Sequence, residues 1–183
     1  MNEKSSELTC LPLWLIDIDG VLNAYAYPRR KTDSWKWGWV ENKMVPTNSG
    51  AFNLFVAEGL VEFLNKAHAS GLVDMRWCTT WADEANSVFA PTFGFPTLPV
   101  AAYPDNTAIL WKHLPAYEAI KNGRRLIWTD DDAIDARAHL NLLEGIRKHP
   151  DLEFKRDLLV IEPDGTLGLT PDDCEAISTF LGL

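Results

Sequence analysis

The sequence is poor in the residues that build disulfide frameworks and zinc sites. It holds three cysteines and four histidines in 183 residues. Cys10, Cys78 and Cys174 lie far apart and form no CxxC pair, which excludes the usual spacing of zinc-binding cysteines. An odd, scattered set of thiols is typical of a reducing compartment, so we expect a cytoplasmic protein.

Long hydrophobic runs and positive charge are also scarce. No apolar run approaches the roughly 20 residues of a membrane span, and the first ten residues lack the apolar core of a signal peptide. The chain has 17 Lys and Arg against 26 Asp and Glu, a net charge of -9. Extended nucleic-acid binding requires a basic surface, so we expect none. A nucleic-acid end or a small phosphate ester held through a metal remains compatible with this charge.

What the sequence does contain is a regular alternation of short apolar runs and amphipathic segments. The predicted strands are 11–18, 73–78, 125–129 and 158–161, and the predicted helices are 57–70, 81–89, 110–121, 133–147 and 171–180. This order predicts an α/β fold with a Rossmann-like parallel sheet and helices on both faces. We expect one domain over residues 1–183. Residues 90–107, with four prolines, are expected to be a loop with a short strand near 98–101.

Residues 24–56, between the first strand and the first helix, are expected to form a small flap. Trp35, Trp37 and Trp39 occupy alternate positions there, a spacing that indicates a hairpin-like segment. Their indoles would either pack on the domain or stack against a planar group. The segment is too short for a large cap domain, so we expect an open site.

Polar residues follow three of the predicted strands at the point where each strand ends. Asp17 and Asp19 lie at the end of the first strand, Thr79 follows the second, and Asp130 and Asp131 follow the strand at 125–129. The carboxyl ends of parallel strands meet at one edge of a sheet. Carboxylates that converge repel one another unless a cation lies between them. Oxygen ligands favour Mg²⁺, whose usual partners in proteins include phosphate oxygens.

These residues also resemble a known family. The string Asp17-Ile18-Asp19-Gly20-Val21-Leu22-Asn23 resembles the first motif of the haloacid dehalogenase (HAD) superfamily. Thr79, Lys112 and the pair Asp130–Asp131 match its remaining motifs in order, and Asp135 matches a more distant acid of some members.

The resemblance covers residues 11 to 181. Three tracts, RWCTTWADEAN, LIWTDDD and GLTPDD, are similar to a small HAD-like branch related to nucleic-acid repair phosphatases. The implied function is a Mg²⁺-dependent phosphatase acting on a phosphorylated substrate: a nucleotide, a nucleic-acid end or another phosphomonoester. The alternative is a HAD-fold metal-binding regulatory or interaction module with little turnover.

The resemblance also implies a role for each matching residue. Asp17 would be the nucleophile that forms an aspartyl-phosphate, and Asp19 the general acid and base. Thr79 and Lys112 would contact the phosphoryl group. The implied metal ligands are Asp17, the backbone carbonyl of Asp19, Asp130 and Asp131.

Alternatives stay open at two of these positions. Lys121 competes with Lys112, although its place in the last turn of a helix has a sufficient structural reason in the helix dipole. Thr80 begins a string that fits a capping box, which leaves Thr79 for the phosphoryl group. Asp132 is expected to begin the following helix.

Overall fold

The computed structural model describes residues 11–25, 38–104, 111–133, 136–149, 152–153 and 156–183, without the side chains of residues 40–43 and 136–140. The strands are β1 (Leu13–Ile16), β2 (Trp39–Thr47), β3 (Gly50–Ala57), β4 (Asp74–Trp77), β5 (Leu126–Thr129) and β6 (Leu158–Ile161). The helices are α1 (Glu58–Ser70), α2 (Ala90–Phe93), α3 (His113–Lys121), α4 (Ala136–Lys148) and α5 (Pro171–Leu181), with a π-helical turn at Ala85–Phe89. No helix in these described ranges is long and apolar enough to cross a membrane.

Four of the strands form one parallel sheet in the order β4-β1-β5-β6. Both central strands, β1 and β5, are buried at every position, as expected for a sheet covered on both faces. The predicted strands agree with the observed ones to within two residues at each end. The α/β class with a parallel sheet is therefore confirmed.

The two faces of the sheet carry separate hydrophobic cores because strand side chains alternate. Trp14 and Ile16 face the core formed with α1 and α5. Leu13 and Leu15 face the core formed with α3 and α4. Helices thus lie on both faces, as the sequence predicted.

The segment before α1 forms an antiparallel hairpin of β2 and β3. Trp39 begins β2 and packs, half-buried, against the core that contains α1. Trp35 and Trp37 lie outside the described residues, so the role of the tryptophan stripe stays a prediction. The hairpin runs directly into α1, which ends at Gly71 in the left-handed conformation, as expected for a glycine that ends a helix.

The prediction that a helix begins at residue 81 is wrong. Ala82 has a φ of 47°, which interrupts helical geometry, so turns precede the π-helical segment and α2. Part of the predicted loop at 90–107 is therefore helical, and Pro91 fits because the first helical turn needs no backbone donor. Thr80 does not cap this segment, whose N-terminal boundary has no side-chain cap. The short strand near 98–101 is reduced to one parallel bridge between Trp77 and Val100.

The strand order defines a switch point in the sheet. Counting the Val100 bridge as a rudimentary third strand, the parallel strands follow the chain-order pattern 3-2-1-4-5. The direction of winding reverses between β1 and β5. Ligands of open α/β sheets bind beyond the carboxyl ends of the strands at such a point, so this edge is where a site is expected.

Candidate metal and phosphate site

The backbone ladder of the sheet continues one residue beyond three strands and so aligns the candidate residues. The amide of Asp17 donates to the carbonyl of Thr129 at 3.0 Å, and the amide of Asp130 donates to that of Ile161 at 3.2 Å. The amide of Cys78 donates to the carbonyl of Ile16 at 2.8 Å, which brings the next residue, Thr79, to the same edge. The sheet itself therefore places Asp17 and Asp130 side by side at the switch point.

Lys112 joins these two carboxylates. Its Nζ lies 2.5 Å from Oδ2 of Asp17 and 2.9 Å from Oδ2 of Asp130. Asp17 is 4% exposed and Asp130 is fully buried. Lys121, the competing lysine, instead pairs with Glu118 at 3.4 Å on the exposed face of α3. The structure thus brings Lys112, and not Lys121, into the cluster.

Burial and the neighbouring charges in this cluster shift the pKa values of Asp17 and Lys112. Burial, followed by the nearby charge of Asp130, raises the pKa of Asp17 to about 6, although Lys112 and a hydrogen bond from the Thr79 side chain lower it. The two carboxylates raise the pKa of Lys112 and outweigh the opposing effect of its burial. Lys112 is therefore a cation at neutral pH, and Asp17 is ionised above pH 6.

Thr79 is fully buried at the same edge. Its hydroxyl oxygen accepts a hydrogen bond from the amide of Trp81 at 3.3 Å, and its side chain also hydrogen-bonds to Asp17. The structure thus puts Thr79 beside the predicted nucleophile. Cys78, its neighbour, is buried, and burial raises the pKa of its thiol, so this cysteine stays a protonated core residue.

Three carboxylates could hold a metal ion. Oxygen atoms of Asp17, Asp130 and Asp131 lie within 4.8 Å of one another. Oδ1 of Asp130 accepts from the amide of Asp132 at 3.0 Å, which fixes its orientation. An all-oxygen donor set of this size fits Mg²⁺, which binds few protein carboxylates and keeps other positions for water or phosphate. Asp132 is not the start of the helix, since α4 begins at Ala136; Asp135 lies outside the described residues.

Asp131 is held by residues that sequence reasoning missed. The phenol of Tyr25 hydrogen-bonds to Asp131, and burial first and this carboxylate second raise the pKa of Tyr25. Gly20 has a φ of +71°, and a Cβ placed there would lie 2.3 Å from Cγ of Asp131. Gly20 is therefore required for the close approach of Asp131, besides permitting the turn after β1. A Cβ at Gly165 would lie 2.6 Å from the Tyr25 ring.

Asp19 is not part of the group of three acids, and two other side chains hold it. Its Oδ1 accepts from Nδ2 of Asn23 at 2.7 Å, and its Oδ2 accepts from the indole Nε1 of Trp81 at 2.8 Å. Asn23 also accepts from the amide of Phe55 at 2.9 Å, which links the turn after β1 to the hairpin. Asn23 is the last residue of the motif that begins at Asp17. In contrast, no local pattern in the sequence indicated that Trp81 would contact Asp19.

Comparison of the chain with protein-family models, with curated proteins and with solved structures finds no match. Function must therefore be argued from the residues and their geometry. Chemically, the edge combines a buried carboxylate, a lysine cation that contacts it, three carboxylates that could hold a metal ion, and the carboxyl group of Asp19, held by two donors. Such a set suits transfer of a phosphoryl group to a carboxylate.

Proposed function

We propose that this protein is a Mg²⁺-dependent phosphatase of the HAD type, which hydrolyses a phosphomonoester through an aspartyl-phosphate on Asp17. The observation that carries the proposal is the contact of Lys112 with both Asp17 and Asp130 at the switch point of the sheet. Four separate chain segments contribute the residues that the resemblance requires: Asp17, Thr79, Lys112 and Asp130. A nucleotide, a nucleic-acid end or another phosphomonoester is an admissible substrate.

In the first step, a carboxylate oxygen of Asp17 bonds to phosphorus and the ester bond between phosphorus and the leaving oxygen breaks. Asp19, which enters this step in its protonated form, gives its proton to that leaving oxygen, and the alcohol departs. The pKa of about 6 for Asp17 leaves it ionised at neutral pH, as nucleophilic attack requires. The indole of Trp81 and the amide of Asn23 hold the carboxyl group of Asp19 in place.

In the second step, water attacks phosphorus and gives its proton to Asp19. The bond between phosphorus and the Asp17 oxygen breaks, which releases inorganic phosphate and restores both carboxyl groups. Throughout, Lys112 and Thr79 offset negative charge beside Asp17. Asp19 thus acts first as acid and then as base, and the proton count balances over the cycle.

Asp17, Asp130 and Asp131 would hold the Mg²⁺ ion. When bound, this ion supplies positive charge that reduces repulsion between the phosphate and the nucleophile. The fit is supported by the buried position of Asp130 and by the orientation that its bond with Asp132 imposes. One lysine partly offsets the charge of three neighbouring acids, which favours a further cation at this edge.

The direct test is hydrolysis of 4-nitrophenyl phosphate by the wild type and by Asp17→Asn, with and without Mg²⁺. Loss of the nucleophile should reduce kcat by about three orders of magnitude or more, while circular dichroism shows a folded variant. Asp172→Asn, in the exposed first turn of α5, is the matched control and should keep full activity. Near-normal turnover by a folded Asp17→Asn protein contradicts the mechanism.

A second measurement separates a phosphatase from the alternative binding module. At tenfold excess over its Kd, Mg²⁺ stabilises the native state by about 1.4 kcal/mol, which raises the Tm by roughly 3–6 °C for a chain of this size. Asp130→Ala should abolish this shift. A Mg²⁺-dependent shift without any hydrolysis supports the binding module instead. The absence of a shift at millimolar Mg²⁺ contradicts the metal site.

A further inference from the structure

A cavity of about 420 Å³ opens beside Asp19. Its walls come from three parts of the chain: the turn after β1, the hairpin and the loop that follows β4. Among the described residues that line it are Asp19 and Trp81, whereas Asp17, Asp130 and Asp131 are not. The cavity therefore adjoins the predicted general acid, and the three proposed metal ligands are not among its lining residues. Its volume lies in the range of small-molecule sites, roughly 300–1,000 Å³.

The walls of this cavity are tied together before any ligand binds. Oε1 of Glu84 accepts a hydrogen bond from the amide of Asn48, at the tip of the hairpin, at 2.7 Å. At the other end of the hairpin, the amide of Phe55 donates to Asn23 at 2.9 Å. These two contacts join the hairpin to the loop after β4 and to the turn after β1. The cavity is thus largely preformed, which lowers the entropic cost of binding.

The charge of the cavity is of one sign. Within the part of the lining that the structure describes, the acidic side chains are Asp19 and Glu84, and no residue there is basic. The other described lining groups are hydroxyls, amides, aliphatic groups and aromatic rings. Tyr25 and Phe52 are 59% and 45% exposed, so their rings are accessible. Aromatic faces beside carboxylates suit a neutral planar group or an ammonium group, and they disfavour a second anion.

We infer that this cavity receives the alcohol part of the phosphomonoester and selects alcohols that carry no negative charge. The inference rests on the proposed function, since Asp19 gives its proton to the oxygen of that alcohol. The substrate class is then a monoester of a small neutral or cationic alcohol, which includes a nucleoside monophosphate. A nucleic-acid end or a bisphosphate would place another phosphate near Glu84, and both are disfavoured.

Three esters of similar size test this selection: 2-aminoethyl, 2-hydroxyethyl and carboxymethyl phosphate, each with Mg²⁺. We expect kcat/KM for the carboxymethyl ester to be about tenfold below that of the hydroxyethyl ester, the factor that a like charge roughly 6 Å away produces at an effective dielectric near 40. The aminoethyl ester should equal or exceed the hydroxyethyl ester. Equal values for all three, or a preference for the carboxymethyl ester, overturn the inference.

Glu84→Gln assigns the effect to this cavity, because glutamine keeps an oxygen for the amide of Asn48 but removes the charge. Because the tenfold factor comes from one like charge, the ratio between the hydroxyethyl and carboxymethyl esters should fall from about tenfold to near one. Glu175→Gln, an exposed change of the same net charge on α5, should leave the ratio as in the wild type. The same ratio in both variants overturns the assignment to Glu84.

A binding measurement tests the charge preference of the cavity independently of turnover. Saturation-transfer NMR should show benzylamine and benzyl alcohol binding to the wild type but not benzoate. The benzylamine signal should weaken in Glu84→Gln and persist in Glu175→Gln. If none of the three esters is hydrolysed, the proposed function fails while this NMR result still decides the charge preference. Binding of benzoate as strong as that of benzylamine refutes the preference.

Discussion

Replacing Lys112 by methionine tests the central feature of the site. The substitution keeps most of the aliphatic stem and removes the ammonium group that contacts Asp17 and Asp130. Both carboxylates are buried, so the variant leaves two close anions without their shared cation. We expect the metal-free variant to be clearly less stable than the wild type.

The size of the loss follows from the geometry. The Nζ–O distances are 2.5 and 2.9 Å, and at an effective dielectric near 20 each contact is worth about 6 kcal/mol before desolvation. Desolvation of the three groups cancels most of this, and removal of one partner from a buried ion pair costs about 3–5 kcal/mol. The Lys112 side chain is 19% exposed, so water screens it in part. We expect the free energy of unfolding to fall by about 3 kcal/mol.

The loss should depend on pH with a defined sign. The pKa of Asp17 is raised from 3.8 to about 6 in the folded wild type, and it rises further when Lys112 no longer opposes burial and Asp130. A raised folded-state pKa means that the folded protein binds the proton more tightly than the unfolded chain. The resulting penalty is absent below about pH 4 and complete above the folded pKa. The loss in Lys112→Met should therefore be full at pH 8 and smaller at pH 5.

Urea unfolding in EDTA at pH 8 and at pH 5 measures both effects. Lys121→Met, at the far end of the helix that follows Lys112, is the matched control, because Lys121 and Glu118 form an exposed pair of the kind that contributes about 0.2–1 kcal/mol. The control should change little at either pH. Equal losses for the two lysine variants at pH 8 refute the reasoning. A loss for Lys112→Met that is unchanged at pH 5 refutes it as well.

Two further substitutions test the residues that position Asp131 and Asp19. Gly20→Ala should weaken the binding of Mg²⁺, measured by calorimetry, because its Cβ collides with Asp131. Gly71→Ala is the matched control: its φ of +67° imposes a similar strain, of roughly 1–2 kcal/mol, but no atom lies within 4 Å. Trp81→Phe should lower kcat about tenfold with little change in KM, since Asp19 loses its indole donor. Trp77→Phe removes an indole bond to Asn86 instead and should reduce only stability.

Two results would contradict these expectations. Equal Mg²⁺ affinities for the Gly20 and Gly71 variants would mean that Asp131 is not displaced or does not bind the ion. An equal fall in kcat for the Trp81 and Trp77 variants would mean that Trp81 acts through stability alone and not through the carboxylate of Asp19.

The positions of the four strands of the parallel sheet were predictable from the sequence because local apolar runs determine them, whereas the bounds of β2 and β3 were not predicted. β6 was predicted at its observed bounds, 158–161, and β1 lies inside its predicted range. The helix after β4 was mispredicted for an equally local reason. The string from Thr80 fits a capping box, but Ala82 adopts a positive φ, and tertiary packing outweighs such a weak local preference.

In the candidate site, too, some features follow from the sequence and others from the tertiary structure. The sequence by itself determined that Asp17, Thr79 and Asp130 follow strands, and the parallel order then implied that they meet at one edge. Only the tertiary structure decided that Lys112 rather than Lys121 reaches Asp17, and that Trp81 holds Asp19. These contacts join residues 95 and 62 positions apart. Periodicity and spacing describe neighbours along the chain, whereas contacts over such separations depend on how helices and loops pack around the finished sheet.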